Sequence, residues 1–360
     1  MNISRSQAFD LYRAAAVSAV VMGHFGLMVP HIHHWQRIML VLPIKYGVPL
    51  FFIISGYLLA GSMHSIKSGS HSPCYHGKGS LFHFYYLRFM RIYPAYLVWL
   101  LIFWSLFSKN AHDMLFHILN IHNLSPDFNR SINPVFWSLA VEFQWYLLAP
   151  LVFRLLLHGS PGRAFSSFCV IVLISIIYRN WVTGLFITNT IPLAELWRLG
   201  NEQIPAELYS FALGVLVWRF RGSGFIFSRA VLLLAWAVLL GAALHTYALF
   251  YLPELVPQDA GNMIFMMNTG YISQFSLAVI VYQYRRIKLP EFLSLPVLFI
   301  SLVSYSMYIV HYPVMIHVQS LGLSLWASVF LYLFLTALTA FFSYMLIEKP
   351  FLVSRWRRKN

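Results

Sequence analysis

The sequence specifies an all-α, polytopic membrane protein with about ten transmembrane helices and both termini in the cytoplasm. Three observations predict this. Of 360 residues, 59% are hydrophobic, 18% aromatic and only 10% charged, and the mean hydropathy is +0.67; soluble domains of this length lack such a composition. Ten apolar stretches are long enough to cross a bilayer as helices, at 9–29, 43–62, 92–108, 134–157, 164–183, 205–221, 230–251, 263–284, 295–318 and 325–347. The basic residues are also asymmetric. With the N-terminus inside, 18 of the 25 Lys and Arg fall in inside segments and 6 (Arg37, Lys45, Lys109, Arg130, Arg179 and Arg198) in outside segments or helix ends, while Arg13 lies within a span. That threefold excess sets the orientation, and an even number of spans returns the basic tail RWRRKN to the inner side. The formal net charge of +14 therefore reflects topology and attraction to anionic lipid, not a nucleic-acid partner. No soluble domain is evident, so residues 1–360 are read as a single integral-membrane domain. The two cysteines, Cys74 in a loop and Cys169 in a span, make no metal-type spacing, and no structural disulfide is expected.

The first span is too long for a signal-peptide core and no small-residue cleavage site follows it, so it is expected to be retained. It carries Arg13 and His24, two ionisable residues where each is costly. Eleven positions make three turns plus about 20°, so both share one helix face, ~16 Å apart along the axis. Asp10 is a helical neighbour able to pair with Arg13; snorkelling to the inner headgroups is the alternative for that arginine. The following outside stretch, HIHHWQR, sets His31, His33 and His34 at a pocket rim. No carboxylate or cysteine of suitable spacing accompanies them, so no metal site is expected.

The second span contains GVPLFFIISGYLL, and the inside loop 63–91 is Gly/Ser/His-rich. At the inner edge before the third span stands RFMRIYP. Arg88 and Arg91 are spaced i, i+3 on one helix face, and two guanidinium forks there can grip phosphates; positive-inside anchoring is the alternative. The fourth span, FWSLAVEFQWYLLAP, holds Glu142 with Trp137 just above it. The fifth to eighth spans rest on apolar length. The ninth, SYSMYIVHYP, holds His311, and the tenth closes on IEKP. Loops 109–133 and 184–204 lie outside. No internal repeat is seen, which weighs against an inverted-repeat transporter.

Counting from the expected helix ends, His24 lies ~22 Å, Glu142 ~18 Å and His311 ~24 Å above the inner surface. A charge facing lipid would cost at least ~2.5 kcal/mol, so the three are expected to converge on one polar pocket outside the midplane. A neutral imidazole there can take a proton from an alcohol attacking a carbonyl, and a carboxylate can orient the ring. The pair is either His24–Glu142 or His311–Glu142; the bland alternative is histidines that merely hydrogen-bond between helices.

These motifs, in this order, resemble those of the acyltransferase family 3 proteins, integral-membrane acyltransferases of bacteria and some eukaryotes. Arg13 and His24 fit that family's arginine–ten residues–histidine motif. Gly47, Phe51, Phe52, Ser55 and Gly56 fit its second-helix signature, and RFMRIYP, the Trp-Ser-Leu-x-x-Glu helix around Glu142, SYSMYIVHYP and IEKP fit the rest. The resemblance covers nearly the whole chain. It implies an acyl-CoA co-substrate, by default acetyl-CoA, used from the cytoplasm with no permanently bound cofactor. It implies a hydroxyl acceptor on a cell-surface glycan, lipid-linked or free, such as O-antigen or exopolysaccharide, and residence in a bacterial inner membrane. His24 is then the catalytic base, Arg13, Arg88 and Arg91 assist donor binding, and Glu142 is essential. Some members carry a fused esterase-like domain; this chain is expected to be a stand-alone member. Ser55, Ser138 and the Tyr146 hydroxyl are candidate donors to the developing oxyanion, and Trp137 is a stacking surface for a sugar. Other acceptors, namely a lipid, a macrolide-like molecule or a peptidoglycan sugar, stay open, as does the different class of a transporter or flippase for an anionic glycan.

Overall fold

The apolar stretches form helices because a lipid-facing backbone must satisfy its own hydrogen bonds. The structure is a computed structural model that describes residues 6–28, 33–67 and 79–352. Among the described residues, thirteen α-helices follow in order: α1 (Gln7–Met28), α2 (His34–Val41), α3 (Ile44–Lys67), α4 (Gly79–Phe103), α5 (Ala111–Ile118), α6 (Trp137–Leu157), α7 (Pro161–Ile187), α8 (Leu193–Asn201), α9 (Ile204–Arg219), α10 (Arg229–Tyr251), α11 (Ala260–Gln283), α12 (Glu291–Ser320) and α13 (Leu325–Ser343). Single π-type segments extend α4 through Trp104–Ser108 and α13 through Tyr344–Glu348. Cys74, His31 and the tail RWRRKN lie outside the described residues, as do residues 68–78 of the inner loop.

Nine helical stretches among the described residues are long and apolar enough to cross a membrane. The tenth expected span is α9, only 16 residues long, or ~24 Å. It has no need of full bilayer length because it is enclosed: Ala206, Tyr209, Phe211, Ala212 and Val215 have no exposed surface. The third span starts at Leu81, not at residue 92, so the helix face that carries Arg88 and Arg91 belongs to that span itself. Arg179, counted above at an outer helix end, is inside α7 and 2% exposed, because that helix runs on to Ile187.

Two glycines let α3 and α9 meet backbone to backbone. A Cβ on Gly56 would stand 2.1 Å from the Phe211 carbonyl oxygen, and one on Gly214 2.0 Å from that of Ile53. Small residues at such crossings permit close approach. Gly214→Val is therefore expected to cost about 3 kcal/mol or more through overpacking against main chain that cannot move aside. A thermal midpoint equal to that of the wild type in detergent would refute this.

The α7–α9–α11 side holds a buried ion pair. Arg179 Nη2 donates to Glu207 Oε1 at 2.6 Å, with both side chains under 5% exposed. Ser210 (2.8 Å) and Gln274 (3.4 Å) donate to the other carboxylate oxygen, and the guanidinium lies 4.7 Å from the Tyr271 ring centroid.

The two outer loops, 109–133 and 184–204, contain α5 and α8 and are stitched together around Glu202. Arg130 donates to Glu202 Oε1 at 2.7 Å, Asn129 donates to Oε2, and Asn123 donates to the Glu202 carbonyl at 2.9 Å. Arg198 returns a bond to the Asn123 carbonyl at 2.9 Å. Under this cap His117 and His122 stack at 3.9 Å with planes 4° apart, and neither has exposed surface. Burial pushes His117 down to about 4, against a smaller opposing effect of its bond to the Asp113 carbonyl, and pushes His122 well below its usual value. Between pH 6.5 and 4 the unfolded chain binds more protons than the folded one, so stability falls as pH drops through that window. The loss is up to about 3 kcal/mol for His117. Thermal midpoints across pH 7.5 to 4 should fall steeply for the wild type and less for His117→Gln; parallel curves would contradict the assignment.

Candidate active site

Helix α1 sorts its side chains by sector, at about 100° per residue. Asp10 faces α12, where Ser301 donates to its Oδ1 at 2.7 Å. Val20 and Ala16 abut Gly47 of α3, about 80–120° further round. On the far side of that contact, Tyr12 reaches the Ile280 carbonyl of α11 at 3.5 Å. Arg13 and His24 occupy the sector between α12 and α3, some 40–60° from Asp10. The wedge they face is completed by α6 and α4. Arg13 makes the expected pair with Asp10, at 3.3 Å.

The principal contact of His24 is to the other predicted histidine. Its Nδ1 lies 2.9 Å from Nε2 of His311, with ring centroids 5.0 Å apart. His311 has no exposed surface, whereas His24 is half-buried. The protons can be assigned from the acceptors. His311 Nδ1 sits 2.7 Å from the Tyr308 carbonyl and 3.2 Å from that of Met307, and carbonyls only accept, so this nitrogen carries the proton. In a neutral ring Nε2 then holds the lone pair and must accept from His24 Nδ1. Neutral His24 therefore keeps its own lone pair on Nε2, which accepts no hydrogen bond among the described residues.

Glu142 sits elsewhere. It takes hydrogen bonds on Oε1 from Tyr146 at 2.5 Å and Ser55 at 3.1 Å rather than from either imidazole, and Oε2 accepts none among the described residues. Ser138, one turn outward on α6, donates to the Tyr308 hydroxyl at 2.6 Å, which donates to the Val135 carbonyl at 3.1 Å. That contact marks a common level. From it, Glu142 lies four residues inward and His311 three residues outward, so the carboxylate and the imidazoles are ~10 Å apart in depth. The expectation of a single depth fails because the chain before α6 dips into the bundle: Asn133 donates to the Ile309 carbonyl at 3.0 Å, so α6 starts near the His311 level and not at the membrane surface.

The three expected oxyanion donors have their protons committed in this state, Ser55 and Tyr146 to Glu142 and Ser138 to Tyr308. Tyr308 itself was missed, although it stands three residues before His311 and so shares its helix face. Trp137 is half-buried at the outer end of α6, edge-on to Phe52 with centroids 6.5 Å apart.

Inward, the polar face of α3 continues. Ser62 is seven residues beyond Ser55, hence on the same face and ~10 Å along the axis, and it accepts from Arg88 Nη2 at 3.1 Å. Arg88 also lies 5.8 Å from the Phe84 ring centroid. Arg91, one turn on, is exposed at the rim. The result is a polar track running from Arg88, past Glu142 and Ser138, to His24, ~20 Å in depth. His33 is exposed; the described residues contain no group of three potential metal-ligating side chains.

Comparison with known proteins agrees with the motif reading. The O-acetyltransferase OatA of Staphylococcus aureus is 29% identical over 330 residues, covering 84% of this chain and 52% of that protein. Acyltransferase MdmB of Streptomyces mycarofaciens is 28% identical over 217 residues, covering 53% of this chain and 52% of its own. A putative acetyltransferase, ORF330, of Acidianus two-tailed virus is 25% identical over 306 residues, covering 81% of each chain. The chain thus spans about half the length of the first two. No solved structure matches. With the family model of the acyltransferase domain matching residues 6–348, nearly the whole chain, the chain belongs to acyltransferase family 3.

Proposed function

We propose that this membrane protein transfers an acyl group, by default acetyl, from cytoplasmic acyl-CoA to a hydroxyl of a cell-surface glycan, in a bacterial inner membrane. The observation that carries this reading is the His24–His311 bond, which leaves a lone pair on Nε2 of a half-buried imidazole. Arg88, Arg91 and Arg13 hold the phosphates of the donor at the inner edge. The pantetheine arm, roughly 15–20 Å long, is comparable with the ~20 Å track to His24. Glu142 Oε2 accepts hydrogen bonds from substrate N–H or O–H groups along that track. His24 Nε2 takes the proton of the acceptor hydroxyl as its oxygen attacks the thioester carbonyl. The carbon–sulfur bond then breaks, and the imidazolium proton goes to the departing CoA thiolate. His311 accepts from His24 Nδ1 throughout and keeps the ring in its reactive tautomer.

Inside-out vesicles supplied with radiolabelled acetyl-CoA test this directly. Label should appear in the glycan fraction only when the chain is present; vesicles that move glycan without transferring label would instead identify a transporter. Arg88→Gln is expected to raise the donor KM several-fold, by losing one charge-assisted phosphate contact, at unchanged expression. An unaltered KM would remove Arg88 from the donor site.

A further inference from the structure

A second basic site lies on the opposite flank of the α1–α3 contact. Arg219, Arg221, Arg285 and Arg286, with Tyr57 and Ser223, line a cleft of about 500 Å³. It opens at the end of the bundle that holds the N-terminus of α1, where the Leu289 N–H donates to the Gln7 side chain at 2.9 Å. Tyr57 lies ~140–160° round α3 from Ser55 and Ser62, so this cleft does not belong to the track just described.

Its arginines are ordered but not neutralised. Arg219 donates to the Leu156 and Gly159 carbonyls at 2.6 and 2.8 Å. Arg221 stacks 3.6 Å from the Trp218 ring centroid and Arg285 3.9 Å from that of Tyr282. Arg285 and Arg286 both donate to the Arg221 carbonyl, at 3.1–3.2 Å. Every partner is an uncharged carbonyl or ring. None of the chain's eleven carboxylates forms an ion pair with these four among the described residues. Each guanidinium offers five N–H donors, and most remain unspent.

An apolar groove of about 320 Å³ adjoins the cleft and shares Phe220 and Ser223 with it. It runs between α9 and α11, walled by Leu213, Val217, Phe225, Phe227 and Val279. Concentrated positive charge at the headgroup level, beside a hydrocarbon-lined slot, matches one molecule with a phosphodiester next to an acyl chain. We propose that the cleft and groove together hold an anionic phospholipid of the inner leaflet, headgroup on Arg221, Arg285 and Arg286 and one chain between α9 and α11. A free nucleotide phosphate would use the arginines but leave the groove without purpose.

Native mass spectrometry of the full chain in detergent tests this, with phosphatidylglycerol and phosphatidylcholine of equal chain length as probes. The wild type should retain phosphatidylglycerol preferentially. Arg221→Gln with Arg286→Gln should weaken retention about tenfold or more, near 1 kcal/mol per charge. Arg286→Gln alone, at an exposed position, serves if the double variant does not fold. Val279→Phe should reduce retention of the long-chain lipid but not of its dihexanoyl form. Equal retention of both headgroups, unaltered retention in the arginine variants, or displacement of the lipid by saturating CoA would each overturn the proposal. The last outcome would assign the cleft to the donor instead.

Discussion

His24→Ala should leave a folded, membrane-inserted protein whose acyl transfer is reduced by about 10²–10⁴, the range over which a positioned general base acts. Folding should survive because the side chain is half-buried and its hydrogen bonds among the described residues are to His311 and to the Val20 backbone. Truncation does, however, leave His311 Nε2 without its donor. His311→Ala has a different signature. It keeps the base but frees the His24 ring to rotate and to place its proton on Nε2, where it cannot accept one. Its kcat should fall by about 10² with little change in donor KM, whereas Arg88→Gln moves KM. Transfer assays on both histidine variants, with size-exclusion profiles matched to the wild type, separate these roles. Full transfer by His24→Ala would remove the proposed base, and wild-type kcat in His311→Ala would reduce the histidine pair to a packing contact.

The largest stability effect is expected away from the chemistry. Removing one member of the Arg179–Glu207 pair strands a charge inside the bundle, for which about 3–5 kcal/mol is the usual loss. Arg179→Met and Glu207→Leu should each unfold or lower the thermal midpoint severely. The double variant should recover much of the loss, because two apolar side chains of similar size carry no desolvation penalty. Arg179 also contacts the Met267 carbonyl at 3.4 Å and the Tyr209 hydroxyl at 3.5 Å, so recovery should be partial. Additive losses in a double-mutant cycle would show that the two charges are not coupled.

These effects divide along what a linear sequence can express. Spans are legible because hydrocarbon demands length and apolarity, and the motif residues Arg13, His24, Arg88 and Glu142 stood out as ionisable groups in or beside apolar runs. Arg179 and Glu207 are harder to read: the sequence sets one at a helix end and gives the other no distinguishing context, because only the packing of α7 against α9 makes them partners. Depth was also misjudged. Residues 129–133 look like ordinary polar loop, and nothing local signals that Asn133 descends to Ile309 and lowers the whole start of α6. For the same reason the sequence suggested a carboxylate beside a histidine where the fold supplies a second histidine.

The glycine contact between α3 and α9 bears on how material moves through such a protein. Main-chain oxygens resting against glycine Cα atoms leave no cushion of side chains that could slide, so these two helices form a stationary frame. Crossing the membrane by rocking one half against the other would tear that frame open. Traffic is better served by a flexible arm threaded through a fixed scaffold, in which only the cargo travels and the walls stay still.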